Sequence, residues 1–183
     1  MNVFCYPRVL SSVAVCNVLG VESASVPSFG VRARVPLANG RVDRTEVDMQ
    51  LGTLLIEAKL TESNFQQKIK SVVEGYRDFD VAFSRDELPQ TDDVYLSYQL
   101  IRNVLAAFAN GCSFCVILDE RRPDLREQWF DVIRAIRIHD LRLRCKVLTW
   151  QELAEVLPGK LRDFLEEKYG ISSGQQAVAS ARE

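Results

Sequence analysis

The chain has 183 residues, 47% of them hydrophobic and 26% charged, which suits one domain with a sizeable buried core. A net charge of −2 denies it the global basicity of a general nucleic-acid binder, so any such contact has to be local. Its five cysteines are odd in number and irregularly spaced, and no apolar run is long enough to span a bilayer, so a cytoplasmic protein is expected.

Residues 7 to 19 open with Pro7 and stop at Gly20. Leu10, Val13, Ala14 and Asn17 share one helical stripe, which predicts a helix, although the many valines also suit a strand. Only Arg8 precedes this apolar stretch and no small-x-small site follows it, so it does not read as a signal peptide. Ser23 to Ser28 reads as a loop. From Phe29 to Leu37, Val31, Ala33 and Val35 alternate with Arg32 and Arg34, a strand that Pro36 confines to an edge or an end. Asn39-Gly40 then signals a hairpin. A two-residue turn there would put both arginines on the face of Val47. A longer loop is therefore expected, and it would let Arg32 or Arg34 face a carboxylate or a phosphate.

Glu46 to Lys59 reads as a second hairpin. Val47, Met49 and Leu51 alternate with Glu46, Asp48 and Gln50, the second strand is Leu54-Leu55-Ile56 with Ala58, and Gly52-Thr53 suits a two-residue turn with glycine first. Residues whose numbers sum to 105 then face each other. Asp48 lies opposite Glu57 and Glu46 opposite Lys59, with Cβ atoms ~5 Å apart, all on one face. Two carboxylates set so closely repel each other and invite a cation. Mg²⁺, or Mn²⁺, suits such oxygen ligands, and a lysine beside them could position a water or offset charge on a phosphate.

Beyond Lys59, Ser63-Asn-Phe-Gln66 has the form of a capping box, opening a helix with Phe65, Ile69, Val72, Val73 and Tyr76 on one face. Residues 77 to 92 are expected as a loop. Asp92-Asp93 starts a helix that Asn110-Gly111 ends, its apolar side made by Leu96, Leu100, Val104, Leu105 and Phe108. A second stripe on it, Tyr95, Gln99, Arg102, Asn103 and Ala106, is unusually polar. Cys112 to Leu118 suits a buried strand, Pro123 opens a helix, and Cys145 to Trp150 is a further strand. Thr149-Trp-Gln-Glu152 caps a short helix, and a last helix follows Gly159. The expected layout is a single domain over residues 1–171 with a disordered tail over 172–183.

Asp48, an eight-residue spacer and then Glu57-Ala58-Lys59 resemble the PD-(D/E)xK nuclease superfamily. There the aspartate sits on one core strand and the (D/E)xK on the next, across a hairpin. The phrases Thr45-Glu-Val-Asp48 and Leu55-Ile-Glu-Ala-Lys59 are close to how such motifs read, although Val47 stands where a proline often precedes the aspartate. The resemblance spans residues 7 to 150. It implies an α/β restriction-endonuclease-like αβββαβ core, with a mixed central sheet flanked by helices. It further implies a Mg²⁺- or Mn²⁺-dependent nuclease acting on nucleic acid, expected to be DNA, with a homodimer allowed. Asp48, Glu57 and the carbonyl of Ala58 would ligate the metal, and Lys59 would orient or help deprotonate a water. A glutamine on the helix after the motif strand often approaches the site in this family, and Gln99 is placed for that role or for an exposed face. Glu46, Arg32, Arg34 and Arg102 are accessory candidates.

Arg142, Arg144 and Lys146 alternate as one face of a strand would, in the most basic region of the chain, and are the candidate phosphate contacts. A restriction-endonuclease-like module that binds nucleic acid or a protein without cleaving is the second reading. A thiol oxidoreductase is the third, but Cys112 and Cys115 fall at a predicted buried strand rather than at a helix N-terminus. His139, the only histidine, is expected at the surface.

Overall fold

The computed structural model describes residues 2–6, 8–22, 26–60, 62 and 64–172. After two short 3₁₀ turns, Asn2–Cys5 and Val9–Ser11, the chain forms α1 (Val13–Leu19), β1 (Pro27–Arg32), β2 (Val35–Pro36), β3 (Val42–Asp43), β4 (Glu46–Leu51) and β5 (Leu54–Ala58). An excursion holds β6 (Gln67–Ile69), α2 (Lys70–Val73), α3 (Phe79–Ala82), a 3₁₀ turn at Arg85–Glu87 and β7 (Val94–Leu96). Then come α4 (Tyr98–Ala109), β8 (Ser113–Leu118), α5 (Pro123–Arg134), α6 (His139–Leu143), β9 (Cys145–Thr149), α7 (Trp150–Val156) and α8 (Gly159–Tyr169).

The central sheet has five strands in the order β1-β4-β5-β8-β9. β1, β4 and β5 are antiparallel neighbours, whereas β5, β8 and β9 run parallel. The sheet is therefore mixed, and the expected αβββαβ order is carried by α1, β1, β4, β5, α4 and β8. Alternate residues of its strands serve two cores, as a sheet covered on both faces requires. Leu55, Phe114, Val116 and Leu118 pack on the side of α4 and α5 with Leu100, Val104, Trp129 and Val132. Leu54, Ile56, Cys115 and Ile117 pack on the opposite side with Val15, Leu19, Trp150, Leu153 and Leu161.

Next to the turn the Asp48 hairpin has the expected register, with Met49 facing Ile56, Gln50 facing Leu55 and Leu51 facing Leu54, but the ladder ends there and does not include the expected Asp48–Glu57 and Glu46–Lys59 pairs. Gly52 takes the positive φ of 58° that the first position of its turn demands. The Asn39-Gly40 turn also forms, but closes the separate β2–β3 ribbon. Arg34, at φ 53°, breaks the chain out of β1 before that ribbon starts. Gly20, Asn110 and Gly111 end their helices as expected, and Thr149 and Glu152 make a reciprocal capping box.

Several expectations are corrected. The first helix is short and buries Val15, Cys16 and Leu19, while Val13 is two-thirds exposed. Pro7 lies outside the described residues. The helix expected after Lys59 is instead β6 followed by one turn, α2, with Ile69 and Val72 exposed; Ser63, its proposed cap, also lies outside the described residues. The Asp92 helix starts only at Tyr98, because Val94–Leu96 pairs with Gln67–Ile69 as β7. The segment read as a loop from 77 to 92 holds α3 and a 3₁₀ turn, and α6 was not anticipated. Residues 173–183 of the expected tail are outside the described residues.

Candidate functional site

β5 is an inner strand, paired with β4 on one side and β8 on the other, so the side chains of Glu57 and of Lys59 beyond it emerge into the interior on the α4 side. Lys59 extends the parallel ladder by donating its N–H to Ile117 O (2.8 Å), and its own carbonyl accepts from Trp150 Nε1 (3.0 Å). These two bonds clamp the backbone under the lysine. Its ammonium lies 3.1 Å from Glu57 Oε1 and 5.6 Å from the centre of the Phe65 ring. Both side chains of the pair are about 95% buried, at 5% and 4% exposure. Asn103, on α4 and fully buried, donates from Nδ2 to Glu57 Oε2 (3.0 Å).

Asp48 reaches across the hairpin, where its Oδ2 accepts the backbone N–H of Ala58 (2.8 Å). This bond seats its carboxylate beside Glu57, and the consequence appears in the electrostatics. Burial first, and then the negative charge of Asp48, hold the Glu57 carboxyl above its usual range; Lys59 and Asn103 pull the other way. On β1, Phe29 pairs with Met49 and Val31 with Val47, which brackets Gly30 across from Asp48. Gly30 has φ 59°, a conformation that favours glycine, and a Cβ there would stand 3.3 Å from the Glu46 carboxylate.

Arg102, on α4, is buried and does not reach for a ligand: Nη2 bonds to Glu46 O (2.9 Å) and to Asn103 Oδ1 (2.8 Å). It thereby ties α4 to the start of β4 and orients the amide that holds Glu57. The Glu46 carboxylate turns to exposed Arg32, 3.6 Å away, rather than to Lys59. Arg34 is exposed beside a small cavity of about 90 Å³ that it lines with Arg32, Gln50 and Asn110. Gln99 donates its backbone N–H to Phe65 O (3.0 Å), next to the ring under Lys59. Its side-chain Oε1 is buried with no partner among the described residues.

The arrangement fits an oxygen-liganded divalent cation. Among the described residues no third Asp, Glu, His or Cys joins Asp48 and Glu57 as a metal cluster. Two carboxylates and a nearby carbonyl still match what Mg²⁺ takes from a protein, the remaining positions being water and phosphate oxygens. The Oδ1 of Asp48 makes no hydrogen bond among the described residues, and the repulsion that raises Glu57 is of the kind a cation relieves.

The basic trio is not one strand face. Arg142 lies in α6 and donates to Ile136 O; Arg144 follows that helix, bonding Asp140 Oδ2 (2.9 Å) and Cys112 O; only Lys146 is on β9, and its ammonium bonds Leu19 O at the end of α1. Each cation serves the protein's own acceptors, and none is bonded to the Asp48–Glu57 pair. The cysteines are free thiols. Burial raises Cys112 and pushes Cys115 up to about 12, the reverse of what thiol catalysis needs. His139 is exposed, as expected. Asn103 falls in the polar stripe of its helix, where spacing alone gives it no role; the signal in the sequence is a polar pair at 102 and 103 inside an otherwise apolar helix.

A family model described as "Restriction Endonuclease associating with ARP" matches residues 1–170, and the chain belongs to that family. Comparison with curated proteins and with solved structures returned no match.

Proposed function

From this membership we propose that the protein is a metal-dependent nuclease that hydrolyses phosphodiester bonds in nucleic acid, with DNA as the expected substrate. One observation carries the reading: a buried Glu57–Lys59 pair and a neighbouring Asp48 meet across a hairpin of the restriction-endonuclease-like core. Asp48, Glu57 and the Ala58 carbonyl would hold Mg²⁺ or Mn²⁺. Bound there, the cation would supply Lewis acidity toward the phosphate and acidify a water. Lys59, fixed by its backbone clamp, would hold that water in line and offset negative charge as the phosphate is attacked. Asn103 would keep Glu57 aimed, and Arg102 would keep Asn103 aimed. Gln99, whose backbone is tied to Phe65 and whose side-chain oxygen is buried without a partner among the described residues, would accept a hydrogen bond from an enclosed water.

A second reading has its own support. Both Glu57 oxygens are already bonded within the chain, and the family description names association with ARP. A module that holds a protein partner without cleaving would need no more than that. Supercoiled plasmid and linear single-stranded DNA, each incubated with Mg²⁺, Mn²⁺ or EDTA, separate the two. Cleavage that requires metal and disappears in Asp48→Ala and Glu57→Gln variants is expected. Cleavage that survives both substitutions would sink the assignment, and metal binding without cleavage of any nucleic acid would favour the module.

A further inference from the structure

A sizeable cavity lies outside the carboxylate pair. It measures about 550 Å³ and is lined by Asn64, Gln66, Gln67, Pro89, Leu96, Ser97, Gln128 and Asp131, within the size range of small-molecule sites. Four of these residues are side-chain amides. Gln128 is held at both ends, its Oε1 accepting from Ser97 Oγ and its Nε2 donating to Asp124 O, each at 3.3 Å, whereas the side-chain amides of Gln66 and Gln67 make no hydrogen bond among the described residues. Exposed Leu96, with Pro89, adds apolar surface. Among the described residues no lysine or arginine lines the cavity, and the one charged lining group is the Asp131 carboxylate, which is ion-paired to Arg134. The ligand chemistry that matches is neutral and flat, and both donates and accepts hydrogen bonds.

The cavity also adjoins the site. Gln66 O accepts from Tyr98 N and Phe65 O from Gln99 N, each at 3.0 Å, and the Phe65 ring carries the Lys59 ammonium on its face. The segment that walls the cavity is thus the one that leaves β5 just past Lys59. We propose that this cleft receives a single nucleobase of the substrate strand, extruded or unpaired, and reads its edge with the free amides of Gln66 and Gln67. Amides bond a base edge in both senses, and apolar side chains receive its ring faces. The inference rests on the nuclease reading for its substrate class, but not on cleavage.

Binding in EDTA tests it independently of activity. Fluorescently labelled single-stranded DNA oligonucleotides, each with an abasic residue at one successive position, are titrated into the full chain by anisotropy. One position should weaken binding about five-fold or more, and the same position should cost nothing in the Gln66→Ala/Gln67→Ala variant, whose thermal unfolding serves as the folding control. A penalty that persists in the variant, an absence of any position-dependent penalty, or a failure to bind any oligonucleotide overturns the proposal. An abasic penalty abolished in the variant, with no metal-dependent cleavage, would uphold the base pocket and remove the nuclease reading. Cleavage without a penalty would do the opposite.

Discussion

Replacing Lys59 by Met removes the ammonium while keeping most of the stem volume, so packing against Phe65 changes little. What remains is a carboxylate that is about 95% buried, stripped of its cation 3.1 Å away and left with Asn103 as its one hydrogen-bond partner. Removing one partner of a buried pair costs about 3–5 kcal/mol. In a chain of this length each kcal/mol lowers Tm by about 2–4 °C, so a drop of about 6–20 °C is expected in EDTA at pH 8. The loss has a pH signature. Glu57 is already held above its ordinary value of 4.5, and losing Lys59 raises it further. The folded state then binds more protons than the unfolded one. Stability therefore falls as pH rises from the ordinary value through the folded value, and the penalty shrinks toward pH 5. Glu57→Gln on the same background should recover most of the loss, since it removes the stranded charge and keeps an oxygen for Asn103. Thermal unfolding of the wild type, the Lys59→Met variant and the double variant at both pH values decides the matter. A drop under about 3 °C that is the same at pH 5 and pH 8, with no recovery in the double variant, would show that the pair is solvated and that the reasoning fails.

Asn103→Leu removes one bond to Glu57 and the shared acceptor of two Arg102 donors, at about 1–3 kcal/mol for each group left short. Mn²⁺ titration calorimetry should show its metal affinity appearing at higher pH than in wild type, because Glu57 loses a donor that favours its charged form. A purely structural role would leave that pH dependence in place. Asp119 is buried at the end of β8; desolvation alone would raise it, but bonds from Arg121 and Gln151 bring it down to about 2. Its contribution is present above its ordinary value of 3.8 and lost as pH falls toward 2, so Asp119→Asn should cost about 1–3 kcal/mol at pH 7 and little at pH 2 in urea unfolding. With an aromatic disulfide reagent at pH 8, exposed Cys5 should react fast, and Cys112 and Cys115 only on unfolding. Either of the latter reacting as fast as Cys5 would bring thiol chemistry back.

The parts of this molecule that could be read in advance are those whose geometry closes locally. Gly52-Thr53 sets the register of the Asp48 hairpin within a few residues, and Thr149 with Glu152 caps α7 on its own. Between residues 60 and 97 the same rules fail, because β6 and β7 are partners distant in sequence and their pairing overrides the helical period of Phe65, Ile69 and Val72. The alternation of Arg142, Arg144 and Lys146 failed for a related reason: the turn of α6 ends between them, so the period of two never applies. The site itself combines the two regimes. Its carboxylates follow from the hairpin, whereas Asn103 stands 46 residues from the glutamate it holds. The polar stripe of α4 was visible as a stripe, but a stripe alone does not say whether it meets water or protein. What buries Arg102 and Asn103 is the sheet beneath, which presents the Glu46 carbonyl and the Glu57 carboxylate as acceptors where an apolar sheet would have rejected both. Their burial is thus a consequence of the acidic hairpin. A charge-neutralised hairpin, with Glu57→Leu, should leave the Asn103 amide without its acceptor while α4 keeps its apolar contacts through Leu100, Val104 and Leu105.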